Sequence, residues 1–265
     1  MFLLGNMRAA GLVDGDEYPQ GCYVAAWDGG EIVAVVAHYW NDNQVVQAPV
    51  QVEALCRAAM EASGRRVGGL LGPAKQVQEA RDGLELAEDA IQLDQTEYLY
   101  SLALDDLLVP EGLRSGRLVG RRIQPGDVAQ VTEWLVALGL ESLGDEDSPQ
   151  LWERTGAGVQ RKQEQGLTWI LEDRGRPVAT SGFNTTTAEA VQIGGVYTPP
   201  ELRGRGYGRA VVASSLRDAR AEGVESSILF TGVENVPAQK CYEALGYRHI
   251  GDYRLLLVRA PASPA

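Results

Sequence analysis

A glycine-rich loop between a strand-like run and a helix-like run is the feature that most constrains this chain. Residues 203 to 208 read Arg-Gly-Arg-Gly-Tyr-Gly; an apolar run, Ala190 to Tyr197, precedes them, and an amphipathic pattern, Arg209 to Ala221, follows. Three glycines within five residues let the backbone approach a ligand closely, and the start of a helix offers unpaired N–H groups and a partial positive charge. The segment also carries three arginines, Arg203, Arg205 and Arg209. It therefore predicts either a phosphate-binding site or a plain strand-to-helix turn, which also favours glycine.

The two commonest nucleotide loops do not fit this segment. A Walker loop needs Gly-Lys-Ser/Thr, and a Rossmann fingerprint needs a third glycine where Arg209 stands. The segment instead resembles the acetyl-CoA signature of the GNAT superfamily of N-acetyltransferases, Arg/Gln-x-x-Gly-x-Gly/Ala, which Arg203, Gly206 and Gly208 match.

The resemblance extends over residues 190 to 247 in the family's order and spacing. The stretch from Gly194 to Leu202 resembles the family's bulged strand and its exit, and the family's next helix is matched by Asn235, Ala238, Tyr242, Gly246 and Tyr247. The residues themselves agree, because Gly194 and Gly195 inside an apolar strand predict a bulge that frees backbone groups for an extended ligand such as pantetheine. Ser226 to Thr231 predicts a parallel strand reached through the helix, which places the loop at a ligand-binding edge of an α/β sheet.

Tyr242 is the candidate catalytic residue. It lies on the apolar face of the last predicted helix, where spacing alone favours a packed core aromatic. The family resemblance implies instead that Tyr242 is the general acid for the departing CoA thiolate, since a phenol with a pKa of about 10 keeps its proton at neutral pH. The resemblance assigns cofactor binding to Val196, Tyr197, Thr198, Arg203, Gly204, Arg205, Gly206, Tyr207, Gly208, Arg209 and Asn235.

The overall charge narrows the class of partners. The chain has 265 residues, a formal charge of −12 and a pI near 4.7. This balance argues against nucleic acid and anionic membranes as partners and fits a cationic acceptor. The sequence shows no bilayer-length apolar run and no signal peptide. Three isolated cysteines, Cys22, Cys56 and Cys241, offer no metal or redox spacing. We therefore expect a cytoplasmic monomer or homodimer that needs no metal.

The two halves of the chain repeat one pattern of elements. Residues 1 to 117 hold 8 Lys/Arg against 18 Asp/Glu, and the remainder holds 16 against 18, so the acidity belongs to the first half. Each half predicts three strands, a helix, a strand, a helix and a strand. Gly29 to Ala34 and Arg174 to Ala179 align at an offset of 145 residues. We interpret the halves as a tandem duplication whose first copy is degenerate, because it has no glycine-rich loop.

The duplication predicts three ranges: a degenerate N-terminal GNAT-like domain over 1–105, a linker over 106–117 and a catalytic GNAT domain over 118–265. The first half also resembles the N-terminal portion of tandem GNAT proteins through residues 2–6, 38–40 and 68–73. The expected fold class is α/β, or α+β by some schemes. Each domain should form a mixed, partly parallel twisted sheet flanked by helices, with a splayed strand pair for the cofactor.

The resemblance implies an acetyl-CoA-dependent N-acetyltransferase in which a primary amine attacks the thioester directly. Backbone N–H groups near Val196 would polarise the carbonyl, and Tyr242 would serve the thiolate. Glu189 and Glu234 flank the site, and a water relay would serve equally well as the base. The acidic run 141–147 predicts a solvated turn or a strip that attracts an amine. The alternatives are transfer of another acyl group, a small-molecule biosynthetic acceptor, or a non-catalytic acyl-CoA sensor.

Overall fold

The computed structural model describes residues 2–262. These residues form two compact units. Unit 1 comprises the residues up to Leu99 together with those from Ile250 onward, and unit 2 runs from Tyr100 to His249. Within the described residues, no helix combines the length and apolar composition that a membrane-spanning segment requires.

The elements of the first part of the chain follow the predicted order closely. They are α1 (Phe2–Ala10), β1 (Gly21–Asp28), β2 (Glu31–Tyr39), β3 (Asn43–Gln47), α2 (Val52–Ser63), β4 (Val67–Pro73), α3 (Ala74–Gly83) and β5 (Ile91–Ala103).

The second part of the chain repeats that succession after a short helix and three added elements. They are α4 (Glu111–Arg114), β6 (Leu118–Arg122), α5 (Val128–Ser142), α6 (Pro149–Glu164), β7 (Thr168–Asp173), β8 (Arg176–Thr186), β9 (Ala190–Tyr197), α7 (Tyr207–Ala221), β10 (Ser226–Gly232), α8 (Val236–Glu243) and β11 (Arg248–Ala262).

Unit 1 is built on a mixed sheet in the order β1-β2-β3-β4-β11. β1 and β2 pair antiparallel around Gly29 and Gly30, whose positive φ values suit a tight hairpin turn. β3 and β4 pair parallel, and β11 runs antiparallel to β4. Leu55, Cys56 and Ala59 of α2 enter the buried core of this unit.

Unit 2 is built on a second mixed set of strands in the order β10-β9-β8-β7-β6. The pairs from β6 to β9 are antiparallel, and β9 pairs parallel with β10. α5 contributes Val131 and Trp134 to a core shared with Ile170 of β7. On α7, Asp218 accepts a hydrogen bond from the indole N–H of Trp169 at 2.7 Å, which fixes this helix to β7.

β9 is distorted where the sequence placed two glycines. Gly194 pairs with Gly182 and Tyr197 pairs with Thr180, so β9 holds one residue more than β8 between these pairs. Gly195 adopts a φ of 60°, a left-handed value that favours glycine. The pairing with β10 ends at Gln192 opposite Ile228, although both strands continue. The predicted bulge and parallel pair are confirmed, and the two strands part beyond Gln192.

The structure differs from the sequence pattern at the start of β5, and it adds detail to the range predicted as a linker. The sequence predicts a strand over Tyr98 to Leu104, but β5 begins seven residues earlier, at Ile91. The apolar and polar residues alternate only from Ile91 to Asp94, and the polar run of residues 95–97 then interrupts the pattern. Asp94 is held by ion pairs with Arg81 and Arg254. The range predicted as a linker, 106–117, contains α4 and buries Leu113 within unit 2.

The units also differ from the predicted ranges at the C-terminus. The sequence assigned everything from 118 to 265 to one domain, whereas the residues from Ile250 onward group with unit 1. The reason is that β11 pairs with β4, with Leu255 opposite Leu71. Residues 1 and 263–265, the outer limits of the predicted ranges, lie outside the described residues. The division of function between the ranges stays a prediction.

Candidate functional site

A cavity of about 820 Å³ lies in unit 2 at the end of β9 and the starts of α7 and α8. All twelve residues predicted for the site line it: 196–198, 203–209, Asn235 and Tyr242. They come from four separate stretches of the chain. The fold brings these stretches together beyond Gln192, where the pairing of β9 with β10 has ended.

The glycine-rich loop shapes one wall of the cavity. Gly204 and Gly206 both have φ values of 77°, and Gly206 is the N-cap of α7 without any side chain to cap the helix. Helix geometry leaves the first N–H groups of α7, those of Tyr207, Gly208 and Arg209, without intrahelical acceptors. Such a helix start favours an anion electrostatically and by hydrogen bonding.

The charges around the cavity are mostly positive. The lining includes four basic residues, Arg203, Arg205, Arg209 and Lys240, and one carboxylate, Glu141. Within the described residues, neither Arg205 nor Arg209 has a carboxylate partner, and both side chains are exposed. The net positive lining is suited to an anionic ligand in a chain that is otherwise acidic.

Arg203 is engaged by the protein itself. Its Nη2 donates to Glu141 Oε2 at 2.6 Å, and its Nε donates to the carbonyl oxygen of Thr198 at 2.9 Å. The Tyr197 hydroxyl donates to the other Glu141 oxygen at 2.7 Å, and the guanidinium lies 5.5 Å from the centre of the Tyr197 ring. Burial and the Glu141 carboxylate raise the pKa of Tyr197 to about 12. Burial opposes ionisation of Glu141, but the hydrogen bonds from Arg203 and Tyr197 outweigh it and lower the pKa of Glu141.

Tyr242 occupies the inner side of α8. Its side chain is 7% exposed and packs 5.9 Å from the Tyr247 ring in an edge-on arrangement. The predicted inward orientation is confirmed, and the same residue also lines the cavity. Tyr242 therefore combines the packing of a core aromatic with access to the ligand space.

Two of the predicted binding residues have evident structural duties. The Asn235 side chain accepts a hydrogen bond from the Ala238 N–H at 3.2 Å, which caps α8. The Tyr207 hydroxyl donates to Asp173 of β7 at 2.6 Å, and this carboxylate raises the pKa of Tyr207. The Tyr207 side chain thus anchors α7, which leaves its backbone N–H for the cavity.

Sequence reasoning overlooked or undervalued several lining residues. Glu141 was one member of the acidic run, and only the fold places it opposite Arg203; Lys240 carried no recognisable motif. Cys241 also lines the cavity, and burial raises the pKa of its thiol to about 11. The two carboxylates considered as bases, Glu189 and Glu234, are exposed and are not among the lining residues.

The described residues contain no cluster of three or more His, Cys, Asp or Glu side chains that could hold a metal ion. His38 is fully buried in unit 1, where its ring bonds to the Arg66 carbonyl at 3.0 Å and to the Ser63 hydroxyl at 3.0 Å.

Comparison with known proteins gives a family match over the segment that lines the cavity. Residues 129–247 match the family described as "Acetyltransferase (GNAT) family". The chain is 29% identical over 152 residues to a mycothiol acetyltransferase of Thermobispora bispora, covering 52% of this chain and 48% of that protein. It spans about half the length of this curated relative.

Solved structures share the fold over nearly the whole chain. A GCN5-related N-acetyltransferase from Kribbella flavida superposes with a TM-score of 0.60 at 17% identity, covering 98% of this chain and 95% of that one. A tandem GNAT protein from the clavulanic acid biosynthesis pathway superposes with a TM-score of 0.54 at 16% identity, covering 100% and 88%. Residues 129–247, which include every cavity-lining residue, therefore match the GNAT acetyltransferase family, and the solved structures show that the chain shares their fold.

Proposed function

We propose that this protein is an acetyl-CoA-dependent N-acetyltransferase that transfers the acetyl group to a primary amine. One observation carries the proposal: every residue that the family resemblance assigned to the cofactor and to acid catalysis lines a single cavity in unit 2. Spacing along the chain does not require this, because those residues come from β9, the loop, α7 and α8.

The residues present fit coenzyme A. The start of α7, with Gly206 as its N-cap, would hold the pyrophosphate through backbone N–H groups. Arg205 and Arg209 would supply full charges to the phosphates. The free edge of β9 beyond Gln192 would pair with the extended pantetheine arm.

The chemistry then follows from the bulge and from α8. In the register with β8, the described residues Gly195 and Val196 have no partner, and their backbone N–H groups would polarise the thioester carbonyl. The amine nitrogen bonds to the carbonyl carbon, the carbon–sulfur bond breaks, and Tyr242 donates its phenolic proton to the sulfur. Since Glu189 and Glu234 stand outside the cavity lining, water would accept the ammonium proton and return a proton to the Tyr242 phenolate.

Unit 1 is proposed to be the degenerate copy. Only residues 48–51 separate β3 from α2, whereas residues 198–206 separate β9 from α7. In addition, β3 and β4 stay close where β9 and β10 part, since a Cβ added to Gly72 would lie 2.6 Å from the Val46 carbonyl oxygen. Both features leave the described residues of unit 1 without a phosphate loop after β3 or a splayed pair at β3 and β4. We therefore expect calorimetry to give one CoA per chain, and two equivalent sites would contradict this.

Tyr242→Phe tests the catalytic assignment, because it keeps the ring and removes the donor. We expect the turnover number to fall by about 10²- to 10⁴-fold, while CoA affinity and melting temperature change little. The measurement follows thiol release from acetyl-, propionyl- and malonyl-CoA with a panel of primary amines.

The panel also separates the alternatives. Preference for another acyl group or a particular acceptor would revise the substrate, and CoA binding without transfer to any amine would favour a sensor. Wild-type turnover in Tyr242→Phe would reject this residue as the acid.

A further inference from the structure

Glu141 is the one carboxylate among the cavity-lining residues, and both of its oxygens are used by groups of the same cavity. Oε2 accepts from Arg203, and Oε1 accepts from the Tyr197 hydroxyl. Arg203 begins the glycine-rich signature, whereas Glu141 lies 62 residues earlier at the C-terminal end of α5. The pair therefore ties the α5 wall of the cavity to the phosphate loop.

The contact is of a kind that an incoming anion can replace. The Arg203 and Glu141 side chains are 48% and 39% exposed, so water already reaches both charges and screens their attraction. A pyrophosphate at the start of α7 would present a larger negative charge to the same guanidinium, supported there by the helix N–H groups. The Nε bond to the Thr198 carbonyl can persist during such an exchange, because it uses a different nitrogen.

We propose that Glu141 and the phosphates of the cofactor compete for Arg203, so that cofactor binding breaks the ion pair and leaves Glu141 as a free carboxylate on the α5 wall. This inference rests on the proposed function and deepens it. A carboxylate without its arginine is a group that binds a cationic amine, whereas the intact pair presents no net charge to the acceptor. Tyr197 would hold the released carboxylate in place through its hydroxyl.

Calorimetric titration with CoA tests the competition. Glu141→Gln removes the charge but keeps the shape, and we expect it to bind CoA about 1.5- to 5-fold more tightly, as expected for loss of an exposed ion pair. Glu146→Gln in the loop after α5 is the matched control, because its exposed side chain carries the same charge and does not line the cavity. Arg203→Gln should weaken binding, and the double variant should bind as Arg203→Gln does.

A crystal structure with CoA provides the second readout. The Nη2–Oε2 distance should exceed 4 Å, with the guanidinium on a phosphate. The proposal is overturned if Glu141→Gln keeps its melting temperature yet binds CoA no more tightly than the wild type, or if the ion pair stays intact beside bound CoA. Failure of the wild type itself to bind CoA would instead defeat the proposed function.

Discussion

Gly208 allows the cradle to be tested without disturbing the fold. It lies in the first turn of α7, and its φ is not in the left-handed region, unlike those of Gly204 and Gly206. A Cβ added there would meet the Thr198 hydroxyl at 3.6 Å, an ordinary van der Waals contact. Gly208→Ala should therefore fold without strain.

The expected effects depend on the size of the new side chain, because the signature accepts alanine at this position but nothing larger. Replacing glycine by alanine in a helix stabilises it by roughly 0.5 to 1 kcal/mol, which should raise the melting temperature by about 1 to 4 °C. Gly208→Ala should keep CoA affinity close to that of the wild type, because the Gly/Ala position of the signature accepts its methyl group. The branched side chain of Gly208→Val would stand against the N–H groups that we assign to the pyrophosphate. Loss of one such charge-assisted hydrogen bond costs about 1.5 to 3 kcal/mol, so the CoA affinity of Gly208→Val should fall by roughly 10- to 150-fold.

Calorimetry for CoA and scanning calorimetry for the melting temperature measure both effects. Gly126→Ala is the matched control, because a Cβ there meets nothing within 4 Å and the residue does not line the cavity. A folded Gly208→Val variant that binds CoA as tightly as Gly208→Ala would refute the backbone cradle.

Two further predictions concern charge. Arg205→Gln and Arg209→Gln should each weaken CoA binding by about 1 to 3 kcal/mol and flatten the dependence of affinity on salt. Arg217→Gln, on an exposed part of α7, is the control and should change neither. Equal effects of all three variants in a salt titration would show that only the net charge of the protein matters. Lys162 of α6 donates to the Asn184 side-chain oxygen at 3.0 Å, and desolvation by burial lowers its pKa from 10.5 to about 8. Because the folded chain disfavours the ammonium form, the unfolded chain holds more protons between these pKa values, and wild-type stability should rise across that window. Lys162→Met should therefore gain most over the wild type below pH 8 and lose that advantage as the pH approaches 10.5; a difference in denaturation midpoint that is constant with pH would contradict this.

Local patterns in the sequence determined most of the elements and most of the site. The glycine positions predicted the bulge of β9 and the loop before α7, because left-handed backbone and close approach both select glycine at the position itself. The inward face of Tyr242 followed from helical spacing in the same way. These features depend on a few neighbouring residues, so a single sequence records them.

Only the tertiary structure decided which distant groups meet. β11 joins the sheet of unit 1, and Arg254 reaches Asp94 across 160 residues. In the sequence, Glu141 is one charge in an acidic run, and only the structure places it in contact with Arg203 and Tyr197. The physical reason is that a charged side chain or a strand edge can pair with any complementary group. Which group it meets depends on how the chain between them folds around the core.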